Sequence, residues 1–129
     1  GLNDEELIKK VMSSKIGKDC LSFSKMKLSE AIPIIGASQY YIGNDTGLKH
    51  LGVSLGVKTF TFFGPEPPKE WHPYDSNEHP FFYKDPLECR TLKSYFCDLS
   101  KCESMVCLKD ISVEEVFSKV ENYLQNYLV

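Results

Sequence analysis

Helical and extended patterns alternate along the first half of this sequence, and few folds accommodate that order. Asn3 to Lys15 read as an amphipathic helix, with Leu7, Ile8, Val11 and Met12 on one stripe and Ile16 just beyond. Asn3 offers an N-cap, Glu6 stands three residues on as in a capping box, and Gly17 can end the helix. Cys20 to Phe23 is a short apolar strand candidate, with Cys20 as a core filler. A second helix is expected from Leu28 to Ile35, with Pro33 an awkward guest outside the first turn. Tyr40 to Ile42 then reads as a strand running into Gly43-Asn44-Asp45-Thr46-Gly47. Leu48, Leu51 and Leu55 give the spacing of a third helix closed by Gly56, and the β-branched and aromatic run Thr59 to Phe63 gives another strand. Such alternation predicts an α/β fold, a parallel sheet with flanking helices.

The order then dissolves. Five of the seven prolines fall between Gly64 and Pro80, which predicts a loop. Phe81 to Lys84 is a candidate last strand, and the cysteine-containing segment that follows has no clear period. A final helix carries Val113, Val116, Phe117, Val120, Tyr123, Leu124 and Tyr127 as one broad apolar stripe. Ser112 is its expected N-cap, and Glu114 and Glu115 suit the positive end of its dipole.

With 129 residues the chain has room for one domain, residues 1–129. Its 42% hydrophobic and 26% charged content excludes wholesale disorder and fibrous repeats. No apolar run approaches the roughly 20 residues needed to span a bilayer, and no secretory signal is expected. A net charge of −3 argues against nucleic acid as the main partner, because binding the phosphate backbone needs a basic field. The chain starts at Gly1 without an initiator Met, so it is expected to be processed or part of something larger. Five cysteines, an odd number with four of them at Cys89, Cys97, Cys102 and Cys107, do not predict a disulfide framework. Zinc pairs prefer closer spacing, so reduced thiols are expected and no metal site is assigned.

In an open α/β sheet, ligands bind beyond the carboxyl ends of the strands, which is where Gly43 to His50 falls. Gly43 and Gly47 permit a tight turn and close approach of a ligand. The amides near Thr46, Gly47 and Leu48 suit a phosphate or diphosphate, with help from the Thr46 hydroxyl. His50 follows Thr46 by one helical turn and can donate to the same anion. Asp45 would repel a diphosphate, so it must cap the helix, contact uncharged hydroxyls or serve a cation. Read blandly, Asp45 is only a cap and His50 only a packed histidine. The second cluster, Gly64-Pro65-Glu66-Pro67-Pro68 with Trp71-His72-Pro73-Tyr74, forms either a pocket wall or flap, or a surface loop anchored by a buried Trp71.

These segments together, Gly43 to Leu51, Thr59 to Pro67 and Trp71-His72-Pro73, resemble the bacterial ADP-heptose:lipopolysaccharide heptosyltransferase family. The likeness extends back to Met26-Lys27-Leu28-Ser29-Glu30 and forward through Cys107-Leu108 to Ile111-Ser112. It implies the C-terminal half of a GT-B fold, the half that binds the nucleotide-sugar donor. Amides at Thr46 and Gly47 would hold the diphosphate with His50 close by, Asp45 would reach sugar hydroxyls, and Met26 would pack on adenine. Asn3 or Asp4 would lie near the ribose. The implied reaction transfers heptose from ADP-heptose to the lipopolysaccharide inner core. The acceptor site and catalytic base are expected in an N-terminal half, so the chain alone is expected to be inactive. No cofactor is implied. The expected setting is cytoplasmic in a Gram-negative bacterium, with room for peripheral inner-membrane contact. Two alternatives stay open: another nucleotide-sugar transferase or epimerase, and a non-enzymatic nucleotide-binding domain stapled by zinc through Cys97, Cys102 and Cys107.

Overall fold

The structure, a computed structural model, describes residues 4–23, 25–90 and 102–127. The chain divides into two compact units, Gly1–Ile34 and Ile35–Val129.

In the first unit, helix α1 spans Glu5–Ser13, shorter than the expected Asn3 to Lys15. Asp4 takes the N-cap position without a side-chain cap, and Asn3 lies outside the described residues. The helix stops because Ser14 turns its hydroxyl back onto the Val11 carbonyl at 2.7 Å, and Gly17 falls in a following 3-10 turn, Ile16–Asp19. Cys20 to Phe23 do not form a strand and are exposed, Cys20 included, so the core-filler reading is corrected. A strand needs a neighbour to satisfy its backbone, and the described residues supply none beside this run.

Helix α2 (Leu28–Gly36) begins without the usual hydroxyl cap, since Lys27 occupies that position. Glu30 compensates by accepting the Lys27 amide at 2.7 Å, half of a capping box. Pro33 sits inside the helix rather than in its first turn. It leaves the Ser29 carbonyl without an amide, but both residues are exposed, so water can take the missing place.

The second unit is Rossmann-like: three parallel strands in the order β1-β2-β3, with helices packed on the sheet. Strand β1 is Tyr40–Asn44, β2 is Lys58–Phe62 and β3 is Phe81–Phe82. Tyr40 pairs with Lys58 and Asn44 with Phe62, while Thr61 and Phe62 pair with Phe81 and Phe82. Helix α3 (Gly47–Ser54) makes the crossover between β1 and β2 that a parallel pair requires. It ends as expected at Gly56, whose φ of +78° places it in the left-handed region.

Alternation along β2 assigns its two faces. Thr59 is turned toward α3, where its methyl group would meet a Cβ at Gly52 at 3.5 Å. Phe60 is turned the other way and joins Phe82 and Tyr123 in the main cluster, with Tyr40, Phe62, Ile111, Val116 and Val120 around it. Tyr123 comes from the last helix, α6 (Val113–Tyr127), and meets the Phe60 ring edge-on at 5.0 Å between centroids. Ser112 caps α6 by accepting the Glu115 amide at 3.1 Å. The stripe of α6 is only partly covered: Val113 and Phe117 remain 78% and 64% exposed. Between β2 and β3, the proline-rich stretch contains a short helix, α4 (Pro68–Trp71), where a loop was expected. Helix α5 (Val106–Lys109) precedes α6 and buries Cys107.

Candidate functional site

The carboxyl ends of β1 and β2 open onto the start of α3. Asn44 closes β1, the Asp45 amide donates to the Phe62 carbonyl at 3.1 Å, and Thr46 takes the N-cap position in extended backbone. The Thr46 side chain makes no capping bond. Its hydroxyl and the first amides of α3 are therefore left for other partners. Gly43 lies within β1 rather than in a turn, and neither it nor Gly47 has a positive φ, which corrects the tight-turn reading. Gly47 fits the second reading: a Cβ there would meet nothing within 4 Å. Space for a close approach to the backbone is what this glycine supplies.

Asp45 does serve a cation, and the cation belongs to the chain. Lys49, one helical turn along α3, places Nζ 2.6 Å from Asp45 Oδ1 and is fully buried. The same ammonium donates to the Trp71 carbonyl at 2.8 Å and lies 4.9 Å from the centroid of the Phe63 ring and 5.6 Å from that of Tyr74. This one side chain thus ties the α3 loop to the segment after α4. The lysine escaped the sequence reading although its spacing from Asp45 was the signal available.

His50 sits beside this pair. Its Nδ1 is 2.5 Å from Tyr74 Oη, and its Nε2 is 3.9 Å from Asp45 Oδ1. Burial, aided by the Lys49 charge, lowers its pKa from the ordinary 6.5, and Asp45 opposes the shift. The ring is accordingly neutral at pH 7, with one donor and one acceptor nitrogen. In the tautomer whose Nδ1 accepts from the Tyr74 hydroxyl, the ring N–H is on Nε2.

Trp71 is 50% exposed, so it does not anchor its loop. The anchor is His72, 9% exposed, whose Nε2 lies 2.8 Å from the His79 carbonyl and whose ring packs edge-on against Phe63, Tyr74 and Phe81. Desolvation lowers its pKa most, and the bond to the His79 carbonyl partly opposes that.

A cavity of about 280 Å³ adjoins these groups, lined by Asn44, Asp45, Thr46, Phe62, Gly64, Pro65, Glu66 and Leu108. Its far wall is held by Arg90, whose guanidinium donates to the carbonyls of Gly64 and Lys84 and lies over the Tyr83 ring. Of the expected binding residues, Asp45 and Thr46 line this cavity, Gly47 follows them as the first residue of α3, His50 lies beside Asp45, and Met26 belongs to the first unit. Among the described residues there is no group of three or more His, Cys, Asp or Glu side chains able to hold a metal. Cys97, one of the three cysteines of the zinc alternative, lies outside the described residues.

Residues 3–99 match the model of glycosyltransferase family 9 (heptosyltransferase). The chain belongs to that family. It is also 30% identical over 86 residues to lipooligosaccharide heptosyltransferase 2 of Campylobacter jejuni, a match covering 67% of this chain and 26% of the relative. The chain thus spans about a quarter of the length of that relative. No solved structure gives a significant match. In this family 9 chain, every cavity residue except Leu108 lies inside the matched span, as do Lys49, His50 and Tyr74. Helix α6 lies beyond the span and brings Tyr123 against Phe60 of the sheet.

Proposed function

We propose that this chain is the donor-binding part of a heptosyltransferase that moves heptose from ADP-heptose to the inner core of lipopolysaccharide. Asp45, Thr46, Gly47 and His50 hold the pyrophosphate and the adjoining sugar. One observation carries the reading: the start of α3 has an uncommitted threonine hydroxyl and a glycine open to solvent, beside a cavity at the carboxyl ends of parallel strands. Amides at a helix start favour negative charge. In an inverting displacement the charge on the departing diphosphate grows, and fixed N–H donors stabilise it there. Neutral His50 adds one donor through Nε2. The Lys49 ammonium cancels the Asp45 charge, so that carboxylate can sit beside a diphosphate without repelling it.

The base that takes the acceptor proton and the lipopolysaccharide site belong to a part of the enzyme outside this chain, which by itself does not turn over. The setting is the cytoplasmic side of the inner membrane. Among the described residues no helix is long and apolar enough to cross a membrane.

Calorimetric titration with ADP, ADP-heptose, UDP-sugars and GDP-sugars tests this. Binding of both adenine ligands, weakened by His50→Ala, with Asp45→Asn weakening ADP-heptose relative to ADP, is the expected result. The asparagine variant is preferred to alanine because it leaves an acceptor for buried Lys49. No binding of ADP or ADP-heptose, or selective binding of another nucleotide sugar, overturns the donor assignment. Transferase activity of the isolated chain overturns its inactivity.

A further inference from the structure

Three buried side-chain polar atoms among the described residues have no hydrogen-bond partner: Thr61 Oγ1, His72 Nδ1 and Glu66 Oε2. Thr61 and His72 belong to residues buried in the sheet and its covering loop, and neither lines the cavity at the start of α3. Glu66 does line it, together with Asn44, Asp45 and Thr46. A carboxylate oxygen withdrawn from water and left unpaired is costly, and a fold has no reason of its own to keep one.

The position of Glu66 is also well determined. Pro65 precedes it and Pro67 and Pro68 follow, and each proline ring fixes its own φ. Pro67 and Pro68 are buried, and the Gly64 carbonyl just before the turn is gripped by Arg90. The backbone at Glu66 is therefore held in a stiff frame anchored on both sides, which sets where its half-buried side chain starts.

The chemistry of a partner follows from charge. Asp45 is neutralised by Lys49 at 2.6 Å, so Glu66 is the carboxylate in the cavity without a countercharge. A phosphate would be repelled by it. A divalent cation needs several oxygen ligands, and no group of three acidic, histidine or cysteine side chains is present among the described residues. An ionised carboxylate is an acceptor only, and hydroxyl groups are its natural uncharged donors. We propose that Glu66 is a sugar-specificity residue, accepting a hydrogen bond at Oε2 from a hydroxyl of the sugar attached to the nucleotide. This deepens the donor-site reading above and rests on it. It separates the ligand into an anionic part at the start of α3 and a hydroxylated part against the Gly64–Pro68 turn.

The test compares ADP with ADP-heptose, by calorimetry, on the wild-type chain, Glu66→Gln and Glu66→Ala. Charge-assisted hydrogen bonds are among the stronger ones, so Glu66→Ala is expected to weaken ADP-heptose by about tenfold or more while leaving ADP unchanged. Glu66→Gln keeps the shape and one acceptor and is expected to fall between. Neither variant is expected to lower Tm, because the oxygen it removes has no partner in the fold. Equal losses for both ligands, no loss for either, or a lowered Tm in both variants each overturn the role of Glu66. So does binding of Mn²⁺ alone that both variants abolish, which makes Glu66 a cation ligand. A wild-type chain that binds neither nucleotide refutes the donor site itself, and the Glu66 role falls with it. A wild-type chain that binds both, with variants that match it, refutes Glu66 alone.

Discussion

Gly47→Ala separates a binding role from a folding role more cleanly than any other substitution in this chain. Gly47 is the first residue of α3, its φ is not positive, and a Cβ added to it meets no atom within 4 Å. The fold therefore gives no steric reason for glycine here. Replacing glycine by alanine in a helix is worth about 0.5–1 kcal/mol, chiefly through the freedom lost by the unfolded chain, and a first-turn position should realise the lower part of that range. Denaturant unfolding is thus expected to show a small gain in stability with an unchanged m value. A ligand oxygen that accepts from the amides at this helix start must approach to about 2.7–3.2 Å of nitrogen. A methyl group projecting into that approach forces a shift of the kind that costs about 1–3 kcal/mol in a filled site, or roughly thirtyfold in affinity at the middle of the range. The variant should fold slightly better and bind ADP distinctly worse in a calorimetric titration. Unchanged ADP affinity would show that no ligand approaches this backbone. A loss of stability would show that the glycine serves the fold in a way its open surroundings contradict.

Two further outcomes follow from the groups beneath that site. Lys49→Met removes a fully buried ammonium that touches Asp45, the Trp71 carbonyl and two rings, and breaking such a pair costs about 3–5 kcal/mol. The Asp45 side chain keeps 17% of its exposure and can rehydrate, so a value near the lower end is expected from denaturant unfolding, and a change under about 1 kcal/mol would refute the clamp. Burial lowers the pKa of His50, His72 and His79 below the ordinary 6.5, so the folded chain binds fewer protons than the unfolded one in the window just below that value. Stability should be full above pH 6.5 and fall as the pH drops through the lowered values, read as Tm between about pH 7 and pH 5. A Tm that rises on acidification would contradict the direction of all three shifts.

What the sequence made legible was local. Strands β1 and β2 and helices α3 and α6 announce themselves because their apolar residues keep one period over their whole length, and a period is set by neighbours in the chain. The failures come from elsewhere in the molecule. Cys20 to Phe23 has the composition of a strand, yet strand formation depends on a partner that composition does not record. The proline cluster concealed α4 because proline was weighed as a breaker, whereas Pro68 stands at the start of the helix, where its fixed φ helps. Glu66 shares its cavity with Leu108, from a distant part of the chain, so no local pattern reveals that setting. Lys49 was within reach: the spacing argument that linked His50 to Thr46 applies equally to Lys49 and Asp45.

That lysine resolves the conflict posed by a carboxylate in a loop otherwise suited to an anion. Had Asp45 been uncompensated, its charge would oppose any phosphate at the start of α3, and the amides there would be spent against it. With Nζ at 2.6 Å and buried, the pair is close to neutral toward a ligand, and the second oxygen of Asp45 can accept from a hydroxyl. Glu66 lines the same cavity with its Oε2 unpaired. The site therefore offers different groups to the two parts of a ligand: the start of α3 suits a diphosphate, while the compensated Asp45 and the unpaired Glu66 Oε2 suit hydroxyls. The clamp through Lys49 also fixes the Trp71–Tyr74 backbone, and through Tyr74 the ring of His50. Losing the lysine should therefore weaken ADP binding through both charge and position, more than losing His50 alone does. If His50→Ala proved as damaging to ADP affinity as Lys49→Met in a folded chain, the electrostatic half of this argument would be wrong.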